Sequence, residues 1–201
     1  MNRANPIRLS ALGLGMALAA MLVARGALFS AFSIPSSSMR PTLEVGDHVL
    51  VTPYRQLWRR VLPARGDVIV FRSPLDPNYF YTKRIVAVPG DVLEIRKGRA
   101  RINGVTLSES YVADPVRSGD RGAEIIGVGR YFVMGDHRSD SFDSRAWGTL
   151  PGSLIVGRAR IIFWSAEDST HSPQARASTG HQSSGPSGSS IRWSRLLTVI
   201  R

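Results

Sequence analysis

Cysteine is absent from the 201-residue chain, which excludes disulfides and thiolate metal sites and leaves the redox compartment open. Lysine occurs only as Lys83 and Lys97, so the formal net charge of +11 is carried almost wholly by arginine. Such a balance suits nucleic acid, anionic lipid or simply a basic surface. No nucleic-acid fold signature accompanies it, so no nucleic acid is expected and a membrane surface is the better partner. Long alternating helical patterns are also missing after Leu43, which argues against a doubly wound fold. The length allows one domain plus an anchor, or at most two small domains.

What is present begins with an apolar run. Leu9 to Phe32 spans 24 residues with Arg25 as its single charge, and as a helix it would be about 36 Å long, enough to cross a bilayer core of about 30 Å. Arg3 and Arg8 at its start keep the N-terminus cytoplasmic by the positive-inside rule and send the chain after Ser33 to the other side. Arg25 can snorkel to the outer interface. A cleavable signal peptide ending near Ala27 or Ser30 is the rival reading. The run is longer than a typical signal-peptide core, so residues 1–32 are read as a cytoplasmic N-terminus and one transmembrane helix.

Beyond Leu43 the pattern turns to period two and β-branched residues. Strands are expected at Val49 to Val51, Val68 to Phe71, Tyr79 to Val88, Val92 to Ile95, Ala100 to Ile102, Val105 to Leu107, Tyr131 to Met134 and Leu154 to Trp164, with a hairpin turn at Asn103-Gly104. The domain over 33–164 is therefore mostly β, as coiled antiparallel β-sheets or a partly closed β-barrel. Tyr54, Leu57, Trp58, Val61 and Leu62 recur at helical spacing among arginines, which predicts a short basic amphipathic helix lying on lipid or packed on the domain. Residues 165–190 are rich in Ser and Gly and are read as a flexible loop. Ile191, Trp193, Leu196, Leu197, Val199 and Ile200 give 191–201 enough apolar surface to dock on the domain.

Three stretches could carry chemistry. Ser33 to Leu43 reads Ser-Ile-Pro-Ser-Ser-Ser-Met-Arg-Pro-Thr-Leu; Pro35 and Pro41 stiffen it and push Ile34 and Arg40 to extended conformations, so a hydroxyl could be held in place. By itself it also fits a juxtamembrane linker. Lys83 lies in Tyr-Phe-Tyr-Thr-Lys-Arg-Ile-Val, where strand alternation puts it on a face with Tyr79, Tyr81 and Ile85 while Arg84 points the other way. Desolvation there would lower its pKa and yield a neutral amine able to accept a proton. The third stretch, Gly135 to Gly148, holds Asp136, His137, Arg138, Asp140, Ser141, Asp143 and Arg145. Metal ligation by Asp136, His137, Asp140 and Asp143, a base role for His137 towards Ser38, and a loop braced by Asp-Arg pairs all remain open at this level, although the spacing matches no common metal motif.

The ordered set is more specific than any member. An anchor, Pro-Ser-Ser-Ser-Met-Arg-Pro-Thr-Leu, Tyr-Thr-Lys-Arg-Ile-Val-Ala-Val-Pro-Gly-Asp and Gly-Asp-His-Arg-Ser-Asp-Ser-Phe-Asp-Ser-Arg together resemble bacterial signal peptidase I, over Ser33 to Trp164 and the segment around Arg192 to Arg195. The resemblance implies a signal-peptidase-like fold and a membrane-anchored serine endopeptidase with a Ser/Lys dyad. Ser38 then matches the nucleophile and Lys83 the general base. Ser36 matches an oxyanion donor that acts with the Ser38 amide, Ser141 the serine that orients the lysine, and Asp143 with Arg145 the bracing pair. Ile34, Pro35, Met39, Leu43, Tyr81 and Thr82 match the walls of pockets for small side chains, which implies cleavage after Ala-x-Ala.

The implied partners are preproteins with signal peptides and the lipid bilayer. The implied location is the bacterial inner (cytoplasmic) membrane, single-pass, with the catalytic domain of a monomer on the periplasmic side and neither metal nor cofactor involved. This sequence departs from the family pattern at His137, Ser139-Asp140 and Thr82, the last bearing on pocket preference, and its short stretch from Ser108 to Arg130 implies a reduced accessory β region. A Ser/Lys peptidase with one dedicated secretion substrate and a non-enzymatic anchored β binding module are the alternatives.

Overall fold

The computed structural model describes residues 29–56, 59–60, 62–113, 119–166 and 191–200. In chain order the strands are β1 Ser30–Ser33, β2 Asp47–Thr52, β3 Arg55–Gln56, β4 Arg59–Arg60, β5 Val68–Arg72, β6 Phe80–Ala87 and β7 Val92–Arg96. They continue as β8 Arg99–Ile102, β9 Val105–Thr106, β10 Arg121–Ile125, β11 Arg130–Met134, β12 Leu150–Pro151, β13 Ile155–Ser165 and β14 Thr198–Val199. A main antiparallel sheet runs β1-β2-β13-β5-β6-β11-β12, with β14 paired to β13, and a second runs β10-β7-β8-β9. The mostly β, antiparallel expectation therefore holds. The path of the main sheet is open, and no closed barrel occurs among the described residues.

Strand β5 explains how the sheet carries a buried site. Val68 and Val70 enter one core cluster with Val49, Val51, Ala159 and Ile162, while Ile69 and Phe71 enter another with Ile85, Val133 and Leu150. Both faces of the strand are dry, so its neighbour β6 is interior too. A further cluster, including Leu93, Ile95, Ile102, Phe132 and Met134, joins the second sheet to the first. Asn103 and Gly104 take positive φ of 53° and 81° between β8 and β9, the geometry of a two-residue hairpin turn. Among the described residues between Ser108 and Arg130, one strand, β10, lies wholly within this short stretch.

Several expectations change. Ser30 to Phe32, read as the end of the apolar helix, lie instead in β1 and pair with β2; β-branched Val49 and Val51 opposite them offer a ladder that an isolated helix end lacks. The rest of the expected transmembrane helix lies outside the described residues, among which no helix is long and apolar enough to cross a membrane. The expected amphipathic helix is replaced by the antiparallel pair β3 and β4. Pro53 and Pro63 bracket too few residues to offset helix nucleation, and the Tyr54 hydroxyl is tied to Asp67 at 2.8 Å. Leu57, Trp58 and Val61 lie outside the described residues, as does most of the 165–190 loop.

The last segment closes the main sheet around a buried charge. Asp47 is fully buried and accepts from Arg195 Nη2 at 2.6 Å, Ser165 Oγ at 2.6 Å and the Glu44 amide at 2.8 Å. Burial alone would raise its pKa, but Arg195 and the other donors outweigh that and hold it below the usual carboxylate range. Ile200 completes the first core cluster. Asp47→Ala should therefore cost about 3 kcal/mol by stranding Arg195, read as a lowered denaturation midpoint of the full chain in detergent; an unchanged midpoint would contradict this closure.

Candidate active site

Ser38 sits in a 3-10 turn, Ser37–Met39, on the connection from β1 to β2. Ser36 before it and Arg40 after it are extended, the latter as Pro41 requires of the residue that precedes it. Met39 and Leu43 are 1% and 0% exposed in the first core cluster, and the Leu43 amide donates to Met39 O at 2.9 Å. The turn is thus anchored by the apolar residues that follow its serine.

Strand β6 brings Lys83 to the same point. Its Nζ lies 2.5 Å from Ser38 Oγ in a buried hydrogen bond, with Ser38 7% and Lys83 5% exposed. Ser36 Oγ is 3.2 Å from Ser38 Oγ on its other side. Burial pushes the Lys83 pKa down to about 8, with the Asp143 carboxylate opposing and Arg145 assisting. The amine is therefore substantially neutral in mildly alkaline water, which an exposed lysine is not.

The polar loop after β11 packs behind this pair. Gly135 is forced by close approach, because a Cβ there would collide with Ser38 O and Ser141 Oγ. Its amide donates to Asp143 Oδ2 at 3.0 Å, and the His137 amide donates to Ser38 O at 3.1 Å. Asp143 also caps the short helix α1, Ser144–Trp147, by accepting from the Arg145 amide, and it receives Arg145 Nε and Nη2 at 2.8 Å each. Burial acts to raise the Asp143 pKa, but Arg145, the Gly135 amide and Ser141 together hold it low and the carboxylate charged. Ser141 Oγ donates to Asp143 Oδ2 at 2.7 Å; no bond from Ser141 to Lys83 occurs among the described residues.

The polar groups of this loop take separate partners. Asp136 accepts from Arg84 and from Thr42 Oγ1, Asp140 from Ser37 Oγ at 2.5 Å, and Asp143 from Arg145. The carboxylates face different partners, and no group of three or more metal-capable side chains occurs among the described residues. His137 meets the serine turn by its amide, while its Nδ1 lies 3.8 Å from Asp140. Lys83, not His137, is placed against Ser38 Oγ.

A cavity of about 170 Å³ opens beside Ser36 and Lys83 and is walled by Ile34, Pro35, Met39, Tyr81 and Thr82. Leu43 is corrected out of this wall: its side chain is fully buried in the core below the turn. Phe32 and Phe80, with rings 5.4 Å apart, also line the cavity and were not anticipated. Nor was the pair of Arg84 and Asp136, 2.6 Å apart at 2% and 0% side-chain exposure. The signal for it was a strand arginine pointing opposite Lys83, which in an interior strand demands a counter-ion.

A family model described as signal peptidase, peptidase S26, matches residues 8–164. The chain is 37% identical over 158 residues to thylakoidal processing peptidase 1, chloroplastic, of Arabidopsis thaliana, covering 74% of this chain but only 46% of that protein. It is 35% identical to signal peptidase I of Leptolyngbya laminosa, covering 75% of this chain and 76% of that one. A crystal structure of a signal peptidase I from Enterococcus faecalis V583 aligns at 32% identity and a TM-score of 0.44 over 49% of this chain and 97% of that one.

The crowding at Gly135 yields a test of the geometry. Gly135→Ala must displace either the Ser38 backbone or Ser141, and should lower stability by about 1–3 kcal/mol in thermal unfolding; a variant as stable as the parent would show that this approach is not tight.

Proposed function

The chain belongs to the signal peptidase family, peptidase S26, a family of serine endopeptidases, and on that premise we propose that it removes signal peptides from exported preproteins with Ser38 as nucleophile and neutral Lys83 as general base. The observation that carries the assignment of residues is the 2.5 Å contact between Lys83 Nζ and Ser38 Oγ in a buried site. Ser38 Oγ attacks the scissile carbonyl carbon while its proton passes to Lys83 Nζ. The oxyanion forms beside the Ser38 amide and the Ser36 hydroxyl, donors each worth roughly 3 kcal/mol at such a position. The Lys83 ammonium then returns its proton to the leaving amine, and the signal peptide remains as an ester on Ser38. Neutral Lys83 takes a proton from water, which attacks the ester carbonyl, and the returned proton frees Ser38.

The other residues support these steps. Asp143 and Arg145 compensate each other's charge next to Lys83, so the lysine gains little from an unbalanced carboxylate that would keep it protonated. Ser141 stiffens Asp143 against Gly135. The cavity beside Ser36 and Lys83 suits small side chains, in keeping with Ala-x-Ala before the cut, and Thr82 gives it a hydroxyl as well as a methyl. Residues 9–28 would anchor the protein in the bacterial inner membrane with the catalytic domain outside the cytoplasm, where a signal peptide emerges from the bilayer.

Ser38→Ala and Lys83→Ala should each lower cleavage of an Ala-x-Ala preprotein at least about a thousandfold, read by gel shift of precursor to mature form with circular dichroism confirming the fold. Undiminished cleavage by either variant would overturn the mechanism. Because the Lys83 pKa is depressed to about 8, the ammonium predominates below that pH and no base is available. The ratio kcat/KM should rise through about pH 8 and level off above it. A profile flat from pH 6 to pH 10, a range of about four decades in proton activity, would exclude Lys83 as the base.

A further inference from the structure

The loop that leaves β9 in the second sheet reaches back to the polar loop after β11 and to the face of β6 opposite Lys83. Two of its side chains, Glu109 and Tyr111, touch the two buried arginines nearest the dyad. Arg138 Nη1 and Nη2 both donate to the Glu109 carboxylate, the first at 2.9 Å, with side-chain exposures of 2% and 9%. The Tyr111 ring lies 4.0 Å from the Arg84 guanidinium carbon, and its hydroxyl donates to Glu109 Oε1 at 3.1 Å. We propose that Glu109 and Tyr111 are positioning residues for peptide-bond cleavage: by clamping Arg138 and Arg84 they hold the backbone supports of Ser38 and Lys83, so the second sheet sets the rate of the chemical step.

The proposal rests on the reading of Ser38 and Lys83 as the dyad. Arg84 is the chain neighbour of Lys83, and Arg138 Nε donates to Gly135 O at 3.1 Å, the residue that packs against Ser38 O. Each arginine is thus one residue or one bond from a member of the dyad or its support. The charges leave Arg138 dependent on Glu109. Asp136 is bound by Arg84 and Thr42, and Asp143 by Arg145; among the described residues Glu109 is the carboxylate that hydrogen-bonds Arg138, while Asp136 acts on it through its charge alone. A cavity of about 130 Å³ bordered by Leu107, Val112 and Arg99 adjoins this pair. Close packing does not confine Arg138 on that side; its hydrogen bonds do. Without them the guanidinium can relax into the cavity and carry Gly135 with it, and an error of about 1 Å at a reacting group can cost about a hundredfold in rate.

The test uses the full chain in detergent micelles with a synthetic precursor bearing Ala-x-Ala, comparing wild type, Glu109→Gln, Tyr111→Leu, Tyr111→Phe and Ser38→Ala. Glu109→Gln keeps the size of the side chain, so it remains informative if Tyr111→Leu unfolds. Glu109→Gln and Tyr111→Leu should lower kcat roughly ten- to a hundredfold with KM within about twofold and thermal midpoints well above the assay temperature. Tyr111→Phe, which keeps the ring over Arg84, should recover most of the loss seen in Tyr111→Leu. Wild-type kcat in both Glu109→Gln and Tyr111→Leu, or a loss that appears in KM or tracks the thermal midpoint, would overturn the positioning role. Cleavage by Ser38→Ala would instead overturn the dyad on which it rests.

Discussion

Lys83 is carried on an interior strand, and holding its amine out of water against Ser38 sets the terms for the structure around it. Lowering a lysine pKa from its ordinary value to about 8 corresponds to about 3 kcal/mol of disfavour towards the ammonium, and the fold must sustain that. It does so with two dry faces on β5, with β11 on the other side of β6, and with Met39 and Leu43 pinning the serine turn into the first core cluster. Water is excluded by apolar packing, and the turn is fixed by the residues that follow its nucleophile.

Burial on this scale would fail if the neighbouring charges were unbalanced. Three buried ion pairs stand behind the site: Asp136 with Arg84, Asp143 with Arg145, and Arg138 with Glu109 from the loop after β9. Pairs of this kind contribute little net stability, since desolvation cancels much of the attraction, but losing one partner is costly. They therefore act as rigid spacers. Around the dyad they fix Gly135, Asp143 and the start of α1 without adding net charge that would return Lys83 to the ammonium form.

What was legible in the sequence follows the range of the signal. Strands β2, β5, β6, β7, β8 and β13 were readable from period two, and the Asn103-Gly104 turn from its residue types, because these are local properties. The helix expected from Tyr54 to Leu62 was an accident of spacing between two prolines. Strand β1 was hidden in an apolar run, where a strand and the end of a helix look alike. Strand β14 and the closure on Asp47 depend on contacts across most of the chain, which periodicity does not report. At the site, Ser38 and Lys83 were identifiable from ordered motifs and resemblance. The pairing of Arg84 with Asp136, the bond of Ser141 to Asp143 and the burial of Leu43 required coordinates, since each is decided by which face of a turn or strand is covered.

Desolvation by the fold makes Lys83 a neutral amine above about pH 8, where an exposed lysine is still charged. Direct titration is unusually clean here, since Lys83 and Lys97 are the only lysines in the chain and isotope-labelled lysine gives just two side-chain signals, assignable with Lys97→Arg. The account predicts that the Lys83 signal titrates near pH 8 and moves up towards the ordinary lysine value when the chain is unfolded. A Lys83 signal that stays in its ammonium form up to about pH 10, the ordinary range for lysine, in the folded protein would contradict it.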